Sequence, residues 1–160
     1  MRHDTDRQRE SQEVQLFRKR MKFQHRCLEF EIDDDWLIEA DVIGFRASLE
    51  SYEPSCPINE TREVFSVRFE EVEPLRERAR KIGVFCDSVE TGETAKKRVM
   101  RILVWLRDGT PIDPVKVVRT DEEPFKFKLV EGSHRFHCAL ALGFTAIPAV
   151  LGVDMAALNA

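Results

Sequence analysis

Glu131-Gly132-Ser133-His134-Arg135 puts a carboxylate, a glycine, a hydroxyl, an imidazole and a guanidinium on five consecutive residues. Before the run, Phe125-Lys126-Phe127-Lys128-Leu129-Val130 alternates apolar and basic side chains, the period-2 pattern of a half-buried strand. After it, Phe136, Ala139 and Leu140 recur at helical spacing, and Gly143 stands where a left-handed cap would close the helix. A helix starting at this point presents backbone N–H groups that no carbonyl within it can satisfy. Those groups, the helix dipole and an adjacent Arg135 suit an anion, most often phosphate. The plainer alternative is that Ser133 caps the helix and Arg135 points at water. Spacing alone does not separate the two.

His134, His137 and Cys138 could share a helix face, as residues three and four apart do. Without a distant fourth ligand they are too few for a metal site, and no metal is expected. His137 is read as solvent-facing and Cys138 as partly buried. The four cysteines, Cys27, Cys56, Cys86 and Cys138, form no Cys-x-x-Cys pair and are read as reduced thiols.

The segment from Pro114-Val115-Lys116-Val117-Val118, through Glu131 to Ala139, to Gly143-Phe144-Thr145-Ala146-Ile147-Pro148-Ala149-Val150 resembles the ParB/sulfiredoxin superfamily. The likeness extends back to Glu63-Val64-Phe65-Ser66-Val67 and includes the helix pattern Thr94–Arg107, about two-thirds of the chain. It implies an α+β domain of the ParB/sulfiredoxin type and a nucleotide ligand, ATP or another, with or without Mg²⁺. The phosphate grip of nucleotide-binding relatives carries over to Gly132, Ser133, His134 and Arg135. Their helical lysine maps to Lys97, with Lys96 one residue away. In superfamily members that act on phosphoryl groups or on DNA, an acidic residue before the glycine helps catalysis, and this role maps to Glu131. His134 is a second candidate for it.

The departures from the pattern limit the activity. Sulfiredoxins carry their reactive cysteine where this chain has Ser133, and a hydroxyl without a base is a poor nucleophile at neutral pH. Repair of sulfinic acids is therefore not expected. Partition ParB proteins carry a second arginine where His134 stands, and a helix-turn-helix region for which Gly152–Ala160 is too short. The resemblance leaves three readings: an ATPase or small-molecule kinase, a non-catalytic nucleotide or anion sensor, or a ParB-like DNA nuclease.

The elements that must hold the site follow from the pattern upstream. Residues 1–27 read as a polar and basic segment, helical in part, with Val14, Phe17, Met21 and Leu28 as a loose stripe. Its basic face, Arg18 to Lys22 and Arg26, could meet a protein partner, an anionic membrane or nucleic acid. Residues 28–62 read as a helical extension, started by Asp33-Asp34-Asp35 as a cap, and a linker from Ser51 to Thr61. Residues 63–155 read as the main domain. Within it come a strand at Val64–Phe69, a short helix at Val72–Lys81 and a helix at Thr94–Arg107. Strands at Val115–Arg119 and Phe125–Val130, the short helix and a strand at Ile147–Gly152 follow.

At 160 residues, 42% hydrophobic and 34% charged, the chain suits one globular domain. A net charge of −4 argues against bulk nucleic-acid affinity. No apolar run reaches a membrane span and no secretory signal opens the chain, so the expected location is the cytoplasm.

Overall fold

The computed structural model describes residues 20–25, 28–47, 53–57, 60–74 and 84–152. Two strands, β1 (Arg20–His25) and β2 (Leu28–Asp33), pair antiparallel as a hairpin of their own. This replaces the helix expected over the end of the first segment; residues 1–19 lie outside the described residues. The reason is a period of two: His25, Phe30 and Ile32 are buried and Phe23 half-buried, whereas Lys22 and Gln24, with Glu29 and Glu31, face out. Phe23 and Phe30 sit directly opposite each other with rings stacked 5.3 Å apart.

A short helix, α1 (Asp34–Glu39), follows the hairpin. Asp33 precedes it without capping it, because its carboxylate takes Arg20 Nε at 3.1 Å instead. The helical extension expected over 28–62 is thus a strand and a six-residue helix in its described part. The expected linker is docked where it is described: Pro54 is buried and Ser55 O accepts the Ile112 N–H at 2.9 Å.

The main sheet has five strands in the order β3, β7, β5, β6, β4. They are β3 (Phe65–Arg68), β4 (Val72–Glu73), β5 (Val115–Arg119), β6 (Phe127–Glu131) and β7 (Ala146–Leu151). β3 runs antiparallel to β7, β7 parallel to β5, β5 antiparallel to β6, and β6 parallel to β4. The fold is α+β on a mixed sheet. Phe65 on β3 and Phe127 on β6 have two strands between them in that order, yet their rings approach to 5.5 Å. In a flat sheet their backbones would stand about 14 Å apart. The sheet therefore curls.

Val72 and Glu73, expected to open a helix, form β4 instead; residues 75–83 lie outside the described residues. A 3-10 turn (Phe69–Glu71) leads into β4 and leaves no room for a helix start before Pro74.

Helix α2 (Ala95–Asp108) buries Val99, Ile102, Leu103 and Leu106, the stripe its 3.6-residue period provides. Thr94 caps its start by accepting the Lys97 N–H, and Gly109, at φ 71°, ends it. Helix α3 (Ser133–Ala141) ends at Gly143, φ 91°, with Phe144 N–H bonding Ala139 O and Gly143 N–H bonding Leu140 O. That pair of bonds is the Schellman closure. Among the described residues, no helix is long and apolar enough to cross a membrane.

Candidate functional site

β6 delivers the chain to Gly132, whose φ of 99° turns it into α3. Glycine is needed for two reasons. Side chains rarely adopt that φ, and a Cβ would lie 2.7 Å from Val115 Cγ1 and 2.9 Å from an Arg135 guanidinium nitrogen. The close approach is to the protein's own strand and arginine, so this glycine is accounted for without a ligand.

No side chain caps the start of α3. Its first-turn N–H groups, those of Ser133, His134 and Arg135, have no intrahelical acceptor by geometry. These three residues line a cleft of about 590 Å³ between α2, the 112–116 segment and the β6–α3 turn. That volume lies in the range of small-ligand sites. Arg62, Arg98, Arg101, Lys116 and Arg135 line it, together with the carboxylates of Glu60, Asp113 and Glu131.

Arg135 is the centre of this arrangement. One guanidinium nitrogen donates to Asp113 O at 2.7 Å and Pro114 O at 3.1 Å, fixing the plane of the group. Both partners are neutral carbonyls. Among the described residues no carboxylate lies within ion-pair distance of Arg135. Desolvation by burial holds its pKa below the usual arginine range, Asp113 and Glu131 partly oppose this, and Arg98 adds like-charge repulsion. The group remains a cation, and it is short of counter-charge.

Glu131 lies at the rim. Its carboxylate pairs with Lys116 Nζ at 2.9 Å rather than with Arg135, and this bond lowers its pKa despite partial desolvation. It is therefore ionised at neutral pH. Ser133 donates to Val84 O at 3.4 Å, and among the described residues the base its hydroxyl meets is His137 Nδ1 at 3.3 Å. That Nδ1 already serves Ser133 O at 2.7 Å, the more favourable contact.

His134 lines the cleft but is buried, with its Nε2 committed to the loop at Cys86. As acceptor it takes the Cys86 N–H at 3.1 Å; as donor it meets Cys86 O at 3.2 Å. Either tautomer ties residues 84–88 to α3. His137 and Cys138 depart from expectation. His137 is 1% exposed, and Cys138 is fully buried, with burial pushing its thiol pKa up. The reason is that α3 is enclosed, with Phe30, Phe85 and Phe136 all packed edge-on against the His137 ring.

Lys97 is exposed and does not line the cleft, and Lys96 pairs with Glu39 at 3.1 Å. From the same helix it is Arg98 and Arg101 that do. Helical phase could have found them: they flank the buried Val99–Ile102 stripe on the side shared with Trp105. Arg62, from the segment before β3, had no local signal. Among the described residues, no group of three or more metal-ligating side chains could hold an ion.

No family model matches the chain, and no curated protein is similar to it. A solved structure, the crystal structure of sulfiredoxin from Arabidopsis thaliana, is similar at 15% sequence identity and a TM-score of 0.43. The alignment covers 61% of this chain and 93% of that one.

Proposed function

We propose that the cleft binds the phosphates of a nucleotide, and that the protein acts on phosphoryl groups as an ATPase or small-molecule kinase of the ParB/sulfiredoxin type. The observation that carries this reading is Arg135, a desolvated guanidinium that, among the described residues, is held by carbonyls alone, beside an uncapped helix start. A bound phosphate oxygen would supply the missing negative charge and accept from the first-turn N–H groups. Lys116 and Arg98 extend the positive wall. In this reading His134 is a positioning residue, because its ring nitrogen holds the 84–88 loop against α3. Glu131, ionised and at the rim, is the group placed to take a proton or to meet a Mg²⁺ carried by the nucleotide. Lys97 has no part unless its side chain leaves the exposed face where it lies.

The test is a thermal-shift panel of ATP, ADP, CTP and GTP with and without Mg²⁺, followed by phosphate-release assays on any nucleotide that stabilises. Stabilisation with turnover supports the enzyme, and stabilisation without turnover supports a nucleotide sensor. Plasmid nicking in the absence of any nucleotide effect would support the nuclease reading. No stabilisation by any nucleotide rejects the phosphate site.

A further inference from the structure

Four residues of α2 that line the cleft, Arg98, Arg101, Ile102 and Trp105, fall at helical spacing along one side. A rise of 1.5 Å per residue puts Arg98 and Trp105 about 10 Å apart along the axis. The two ends of this line differ in chemistry. Arg98 lies near enough to Arg135 to oppose its charge, so that end, beside the Gly132 turn, is the cationic one. At the other end Trp105 lines the cleft and is 37% exposed.

The Arg101 guanidinium lies over the indole ring, 5.1 Å from its centre. Glu93 anchors that guanidinium at 2.6 Å, so the pair is held in place before any ligand arrives. A flat heterocycle can extend this stack, on the guanidinium or on the indole surface that Trp105 leaves exposed. A bare phosphate or a sugar phosphate would use neither.

We propose that Trp105, framed by Arg101, is the base-binding subsite of the cleft, and that its ligand is therefore a nucleotide, with the ribose spanning towards the Gly132 turn. This rests on the phosphate reading of the same cleft. Stacking is tolerant of base identity but grows with ring area, so purines bind ahead of pyrimidines.

The experiment titrates ATP and inorganic tripolyphosphate into the native protein, Trp105→Ala and Trp105→Phe. The expected result is a roughly tenfold loss of ATP affinity in Trp105→Ala, with most of it recovered in Trp105→Phe. Tripolyphosphate affinity stays the same in all three. Unchanged ATP affinity in Trp105→Ala overturns the subsite while leaving the phosphate site standing, as does an equal loss for both probes that phenylalanine does not restore. Failure of both probes to bind the native protein overturns the phosphate reading and the subsite with it.

Discussion

Arg135 and His137 sit two residues apart on α3, and burial disfavours the charge on both, with different outcomes. Arg135 keeps its charge because its ordinary pKa lies far above neutral, whereas His137 sheds its charge. Its Nδ1 donates to Ser133 O, and its Nε2 is buried with no hydrogen-bond partner among the described residues. Burial lowers its pKa from 6.5 to about 4, and the neighbouring His25 and His134 push the same way against the Ser133 bond. The unfolded chain therefore binds a proton that the folded chain refuses between those two values. Stability is complete above pH 6.5, falls as the pH drops towards 4, and stops falling from this cause below it. The loss is on the order of 3 kcal/mol. Denaturant melts from pH 7 to 4 on native protein and His137→Phe check this. The variant should lose much of the slope, and an identical slope in both would assign the acid sensitivity to other groups. The sequence showed His137 on a helix but not the enclosure of that helix, since Phe30 and Phe85 reach it from distant segments.

At the scale of elements, the β6–α3 turn, the α2 cap and both glycine closures were legible, because each depends on residues a few positions apart. Thr94, Gly109, Gly132 and Gly143 carry their own conformational signal. The β1–β2 hairpin was not read, although Phe30-Glu31-Ile32 alternates openly. Basic residues at loose helical spacing masked a period of two that burial makes plain. The resemblance maps the helical lysine to Lys97, whereas the α2 cation that lines the cleft beside it is Arg98. Gly132 allows a direct test of the turn. Gly132→Ala should destabilise by about 2 kcal/mol or more, through φ strain and the contact with Val115. Val115→Ala in the same chain removes the nearest contact, so the two losses should be less than additive in a thermal-melt cycle. Full additivity would show that Val115 does not set the cost.

For the whole molecule, the fold brings cations from four separate segments to one cleft in a chain of net charge −4. Thiol chemistry has little support there. Ser133 occupies the turn, and the Cys138 thiol on the same helix is enclosed and held protonated. Incubation with ATP, Mg²⁺ and a hyperoxidised peroxiredoxin should leave the sulfinate intact by mass spectrometry; robust repair would make one of the cysteines a catalytic thiol after all. The central claim, however, is that Arg135 lacks an anion that a nucleotide phosphate supplies. Calorimetric titration of ATP into the native protein and Arg135→Ala measures this most directly, with a melt of each protein to confirm folding. The variant should melt lower, because Asp113 O and Pro114 O lose their donor, yet remain folded at the titration temperature. Its ATP affinity should fall by roughly 10- to 100-fold, the loss of one charge-assisted contact. Equal affinity in two folded proteins would contradict the account and leave Arg135 as a clamp on the 113–114 backbone.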